Sequence, residues 1–372
     1  MRLTALLALI SAVLSACATP YSPLVIVKGS QNFVGLADQL SPERPLDVVL
    51  VHGMCTHDEA WAEGAMRMLT ATIDPNISLG PRDNKAPSLS ERIPPPAVRV
   101  VKADAVIAGS LLRMTGIIWS PLTASLKEQL SYDDTGEPTD CAADATCKPK
   151  RAKLNGLAKD KLLNDCLSDA MAYQGASRPV MRAAMIAAFT EAFKDTPADT
   201  RIVLISDSLG SKLSFDALSE MLLSANPSQA KSVAARVGQI FMNANQLPIL
   251  GLADQVVSAS PGVAAVVAMP GGPPDSLQRF LALRLASDLK ANNVGQRLAI
   301  IAFTDPNDLL SYRLLPSRYA SPDVAVSDVL VSNEKTIFGL VERPDMAHTK
   351  YITNPDVAKA IACGHPKSSR CR

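Results

Sequence analysis

The pentapeptide Ser206-Asp207-Ser208-Leu209-Gly210 lies between an apolar run, Arg201 to Ile205, and a segment, Lys212 to Leu223, in which Leu213, Ala217, Met221 and Leu222 recur at helical spacing. A buried strand that turns sharply into a helix lifts the residue at the turn above the sheet, beside the positive end of the helix. A serine held there is presented as a nucleophile. Ser206 and Gly210, two places to either side, are small enough for the backbone to cross a neighbouring segment closely. A second stretch of similar spacing, Ser258-Ala259-Ser260-Pro261-Gly262, fails a physical test. The residue after the nucleophile must donate its backbone N–H to the developing oxyanion. Leu209 has one and Pro261 does not. Ser208 is the candidate nucleophile, and Ser260 is a coincidence of spacing.

A serine nucleophile needs a base, and the chain holds only four histidines: His52, His57, His348 and His365. His52, Cys55, His57 and Asp58 cluster in sequence, but the spacing is unusual for zinc and no second half of a site follows. Neither a metal nor a cofactor is expected.

The turn at Ser208 resembles the G-x-S-x-G elbow of α/β hydrolases, with Ser206 in place of the first glycine. Val51-His52-Gly53-Met54, at the end of the apolar run Asp47 to Val51, resembles that family's oxyanion loop. The resemblance runs in order from about Leu46 to Tyr351, at motif level only in these segments and the triad positions. It implies an α/β fold with a mainly parallel central sheet, helices on both faces and cap or lid insertions. It also implies that Met54 and Leu209 supply the oxyanion N–H groups and that His52 is structural. The family's chain order, serine then acid then histidine, selects His348 as base and sets aside His365 in the tail. The acid is expected just past Leu298 to Phe303, where Asp305 and Asp308 both stand. Asp308 is slightly favoured, and Asp305 stays open.

Alternation of apolar runs with amphipathic segments points to the same fold class. Strands are expected at Leu24 to Val27, Asn32 to Leu36, Asp47 to Val51, Val98 to Lys102, Thr115 to Trp119, Arg201 to Ile205, Gln239 to Met242, Leu298 to Phe303 and, as the last, Thr336 to Val341. Helices are expected from Trp61 to Ile73, Met181 to Phe193 and Lys212 to Leu223. One hydrolase domain, residues 24–362, would carry insertions near 104–178 and 245–295, with a cysteine-bracketed tail at 363–372.

The first residues form an address. Arg2, the apolar run Leu3 to Leu14 and small residues after it read as an export signal, too short to span a bilayer. Leu14-Ser15-Ala16-Cys17 resembles the lipobox of bacterial lipoproteins. That implies removal of residues 1–16, lipidation of Cys17 and a tether at 17–23. Ala18 after the cysteine resembles the pattern sorted to the outer membrane. Each buried methylene of an acyl chain contributes about 0.8 kcal/mol to anchoring. Export places the remaining cysteines in an oxidising compartment. Cys363 and Cys371 could pair locally. Cys141, Cys147 and Cys166 share one polar region, and Cys55 is either free or paired with a leftover.

Composition narrows the partners. The chain has 372 residues, 47% hydrophobic and 20% charged, and a formal charge of +1, which leaves no electrostatic footprint for nucleic acid. Aromatic residues make up only 4%, so the second insertion, rich in Val, Ala and Leu, would line an aliphatic pocket. The expected activity is hydrolysis of a carboxylic ester, a small molecule or a lipid, by a serine hydrolase held at the bacterial outer membrane by its N-terminal lipid. Amidase or thioesterase activity, and a non-catalytic envelope-binding or structural lipoprotein on the same scaffold, are the alternatives.

Overall fold

The computed structural model describes residues 17–82, 98–130, 150–255, 273–286, 297–365 and 371. The strands are β1 (Cys17–Ala18), β2 (Val25–Gly29), β3 (Leu46–Val51), β4 (Gly80–Pro81), β5 (Arg99–Ile107), β6 (Ser110–Ile118), β7 (Arg201–Asp207), β8 (Val237–Asn243), β9 (Leu298–Thr304), β10 (Val324–Leu330) and β11 (Thr336–Ile337). The helices that position the site are α1 (Leu36–Gln39), α2 (Glu59–Ile73), α3 (Arg178–Phe193), α4 (Leu209–Leu223), α5 (Ser276–Ala286), α6 (Pro344–Thr349) and α7 (Pro355–Cys363).

Nine strands form one sheet in the order β2-β10-β9-β8-β7-β3-β6-β5-β4. From β10 through β6 neighbouring strands run parallel, and β2 and β5 join the two sides antiparallel. A parallel sheet needs cover on both faces, so its strands read as continuous apolar runs. In β3 all six residues are buried. Val49 and Val51 point into the core shared with α3, α4 and α5, where Met185, Phe189, Leu213, Leu277 and Phe280 lie. Leu46, Val48 and Leu50 point to the opposite core, with Met66 and Leu69 of α2 and Val357 and Ile361 of α7. The alternation is the period of two that a strand imposes. The protein is thus an α/β protein with a large, mostly parallel sheet and helices on both faces.

Several elements differ from the sequence reading. Asn32 to Leu36 is not a strand. It is a loop leading into α1, docked on the end of α7, where the Phe33 carbonyl accepts the His365 N–H at 3.1 Å. Thr336 to Val341 is not the last strand of the main sheet. Only Thr336–Ile337 is extended, and it pairs with β1. The last strand is β10, whose apolar pattern is interrupted by Ser327 and Asp328. Both are buried: the Ser327 hydroxyl donates to the Ser30 carbonyl at 2.7 Å, and one Asp328 carboxylate oxygen accepts from the Arg313 guanidinium at 2.6 Å while the other meets no donor among the described residues.

The stretch expected as an insertion from 104 begins inside β5, and β6 lies directly beside β3. Within 245–295, α5 lies on α4, where Lys212 is almost fully buried and bonds Asp254 at 2.8 Å and the Ser276 hydroxyl at 3.0 Å. The core of the expected lid, residues 256–272, lies outside the described residues. Among the described residues no helix is long and apolar enough to cross a membrane.

The parallel register between β3 and β7, Val51 opposite Ser206, brings the two chain exits side by side. A Cβ on Gly210 would sit 2.3 Å from the His52 carbonyl oxygen, and one on Gly53 would sit 2.8 Å from the Ser208 Cβ. Gly210→Ala is therefore expected to lose on the order of 1–3 kcal/mol of stability, because backbone on both sides would have to move. Urea unfolding measures this, and a variant as stable as the parent would contradict the close crossing.

Candidate active site

Four connections at the carboxyl ends of parallel strands converge. Ser208 follows β7, the His52–Thr56 loop follows β3, Asp308 follows β9, and His348 lies on α6 beyond β10. Open α/β sheets place their sites at these ends. Ser208 takes φ 53° and ψ −125°, a conformation that a side-chain-bearing residue adopts only when its surroundings hold it. Here its N–H donates to the Asn243 carbonyl at 2.7 Å, and Gly210 is seated against the His52 carbonyl. Ser206 keeps its hydroxyl satisfied within the turn, 2.9 Å from the Ser211 hydroxyl.

The Ser208 hydroxyl lies 3.1 Å from His348 Nε2, and His348 Nδ1 lies 2.9 Å from each carboxylate oxygen of Asp308. All three side chains are buried. With Nδ1–H donating to Asp308, Nε2 keeps the lone pair that receives the serine proton. Asp308 is further fixed by the Leu310 N–H at 2.9 Å and by the Tyr351 hydroxyl at 3.1 Å. Burial and the Asp308 charge hold the Tyr351 phenol far above its usual range, so it stays a neutral donor.

Asp305 has a different set of partners. Its carboxylate accepts the N–H of Asn307 at 2.9 Å and of Asn333 at 2.6 Å, and its own N–H donates to the Tyr351 hydroxyl at 2.8 Å. Asn333 in turn donates from its side chain to the Ala347 carbonyl, next to His348, at 2.7 Å. Asp305 thus ties the acid loop to the helix that carries the base.

The loop after β3 is held from several sides. His52 Nδ1–H donates to the Gly53 carbonyl at 2.7 Å, and Nε2 accepts the N–H groups of Trp119 at 2.8 Å and Ser120 at 3.1 Å. Its ring stacks on Trp119 at 4.6 Å. Burial keeps the imidazole neutral, well below its ordinary pKa. Both nitrogens are engaged, so His52 is neither base nor metal ligand. Cys55, at φ 77°, is bonded to Cys166, and its N–H donates to Asp169 at 2.9 Å. Lys127 bridges Asp169 at 2.9 Å and Asp165 at 3.1 Å. Burial pushes the Asp169 carboxyl up to about 6, against the opposing pull of Lys127. Cys55, Asp165 and Cys166 come together, but the two sulfurs are joined to each other and offer no thiolate.

Between these clamps stand the backbone N–H groups of Met54 and of Leu209, the first residue of α4. Neither N–H meets an acceptor among the described residues. Among the described residues Cys363–Cys371 is a second disulfide, while Cys141 and Cys147 lie outside them. His365 sits edge-on to Phe33, away from the triad.

Sequence reading did not find Asn243, Tyr351, Asn333, Trp119, Lys127 or Asp169. Most of them reach the site across long sequence separations, and no local pattern marks such contacts. Only Cys166 carried a signal, as a cysteine in want of a partner.

No protein-family model and no curated protein matches the chain. Among solved structures, the crystal structure of acetyl xylan esterase 1 from Thermoanaerobacterium sp. JW/SL YS485 is similar at 10% sequence identity, over 70% of this chain and 82% of that one, with a TM-score of 0.16. An overlap that weak assigns neither fold nor activity.

Two outcomes follow from the clamps. Replacing Cys55 and Cys166 together by serine is expected to leave the chain folded and to raise the amide hydrogen-exchange rate across His52 to Thr56 about 10- to 100-fold, because the loop loses its covalent tie. An unchanged rate in the folded variant would show that the loop does not need the bond. Near α6, burial and the neighbouring Asp305 carboxylate push Glu342 from its ordinary 4.5 up to about 7. Between those two values the folded chain keeps a proton that the unfolded chain has released, so stability falls as pH rises across the window and levels off above it. Glu342→Gln is expected to remove this part of the decline. Melting temperature against pH measures it, and an unaltered slope would contradict the assignment.

Proposed function

We propose that the chain is an α/β-hydrolase-fold serine hydrolase that cleaves carboxylic esters, lipid esters among them, through an acyl-enzyme. The observation that carries this reading is the unbroken hydrogen-bonded series from the Ser208 hydroxyl through His348 to Asp308, set at the strand ends beside a strained serine turn. His348 Nε2 takes the hydroxyl proton as Ser208 Oγ attacks the ester carbonyl. The tetrahedral oxyanion forms against the N–H groups of Met54 and Leu209, where the positive end of α4 adds to the field. The imidazolium, stabilised by Asp308, returns the proton to the departing alcohol. Water, deprotonated by the same imidazole, then releases the acid and restores Ser208.

Leu309, beside Asp308, is exposed, which favours an apolar substrate near the triad. Together with the aliphatic composition of the second insertion, this supports acyl chains over sugars or rings. We further propose that Cys17 carries the lipid and that the protein resides at the bacterial outer membrane, on the strength of Leu14-Ser15-Ala16-Cys17 and Ala18.

The test is hydrolysis of p-nitrophenyl esters of graded chain length by single variants. Asp308→Asn is expected to lower kcat about 10⁴-fold, since the imidazole loses its orientation and its counter-charge. Asp305→Asn, whose side chain meets the Asn307 and Asn333 N–H groups rather than His348, is expected to change the rate by less than about 10-fold. Equal losses, or the larger loss at Asp305, would overturn the assignment of the acid, and a folded parent without hydrolysis of any ester would overturn the activity.

A further inference from the structure

The stretch Ile337-Phe338-Gly339-Leu340-Val341 projects between β11 and α6 as a tight hairpin. The Leu340 N–H donates to the Ile337 carbonyl at 3.0 Å, and Ile337 and Val341 face each other as an antiparallel bridge. Its central residues, Phe338 at φ 53° and Gly339 at φ 64°, both have positive φ, as in the type I′ turns that favour Asn-Gly. A bulky aromatic is unfavourable there on backbone grounds. It is also unfavourable as surface: Phe338 is 63% exposed and Leu340 86%, with Ile337 and Val341 exposed beside them. The folded chain therefore gains nothing from these side chains and bears strain to display them.

The neighbour of this hairpin identifies what it meets. β11 pairs with β1, Cys17 opposite Ile337 and Ala18 opposite Thr336, and the Thr336 hydroxyl donates to the Ala18 carbonyl at 3.0 Å. Paired residues lie about 4.5–5.5 Å apart. Cys17 thus lies one strand spacing from the base of the apolar tip. Lys335 and Arg343, both exposed, bracket the tip on its two sides, where Arg343 pairs with Asp345 at 2.6 Å and Glu334, next to Lys335, pairs with Lys350. Apolar side chains at a tip with basic residues at its base are the arrangement that lies in the boundary of a bilayer bearing anionic headgroups.

We propose that the 337–341 hairpin inserts into the lipid surface beside the acylated Cys17, as a second, non-covalent contact that fixes how the protein sits on the membrane. This rests on the lipid-anchor reading of Cys17. The hairpin continues directly into α6, so the contact also sets the distance from the bilayer to His348.

The experiment uses the full chain, expressed with labelled palmitate and mixed into vesicles of phosphatidylethanolamine and phosphatidylglycerol with brominated acyl chains. Leu340→Trp reports at the tip. Leu223→Trp, an exposed site at the far end of α4, serves as control. Brominated chains are expected to lower Leu340→Trp emission about 2-fold or more and to leave Leu223→Trp unchanged, as for a side chain buried about 5–10 Å into the boundary. Phe338→Asn added to Leu340→Trp is expected to raise the melting temperature and weaken the quenching. Absent quenching at the tip overturns the hairpin proposal, and if palmitate is present the anchor survives it. Quenching without palmitate sustains the hairpin and removes the anchor. Equal quenching at both positions means non-specific adsorption and also overturns the proposal.

Discussion

Everything at the site depends on one close crossing of backbone. The turn from β7 into α4 passes so near the exit of β3 that neither Gly210 nor Gly53 has room for a side chain. That contact holds Ser208 at φ 53°, with the Asn243 carbonyl taking its N–H. Backbone strain of this kind costs of order 1–3 kcal/mol and persists only where surroundings over-determine it. The buried strands on either side, β3 and β7, supply that rigidity. The same crossing sets Gly53, the residue before Met54, against the Ser208 side chain, and Gly210, the residue after Leu209, against the His52 carbonyl.

His348 and Asp308, which continue the hydrogen-bonded series from Ser208, are placed less by the sheet than by polar side chains beyond it. Asp305 does not touch His348, yet it orders the segment through Asn333 and Ala347 and holds Tyr351 for Asp308. On the opposite side, His52, the Cys55–Cys166 bond and the Lys127–Asp169 pair hold the loop that bears Met54. Buried polar groups of this kind are costly unless hydrogen-bonded, and here the bonds of Asp305, His52 and Asp169 hold the loops that carry Asp308 and Met54. Those bonds make the two loops rigid.

How much of this the sequence discloses depends on whether the signal is local. The strand-turn-helix frame of Ser208 is local, and Asp47 to Val51 and Arg201 to Ile205 announce buried parallel strands by their unbroken apolar runs. His348 followed from scarcity and chain order, and Asp308 could be ranked but not separated from Asp305, because both stand in the same loop and differ only in what they face. β10 was passed over because Ser327 and Asp328 look like surface, and only Arg313 and the Ser30 carbonyl explain their burial. Thr115 to Trp119 announces the second half of β6, but nothing within it shows that the strand begins at Ser110 or that it pairs with β3. The hairpin at 337–341 was read as a strand because its apolar residues imitate one, although they are displayed rather than packed.

The central claim is that Ser208 is the nucleophile. The most direct measurement is to react the folded protein with a fluorophosphonate ester and locate the adduct by peptide mapping and mass. A single covalent phosphonyl group is expected on the peptide containing Ser208, lost in Ser208→Ala and formed far more slowly in Asp308→Asn. An adduct on another serine, or none on folded protein, would contradict it.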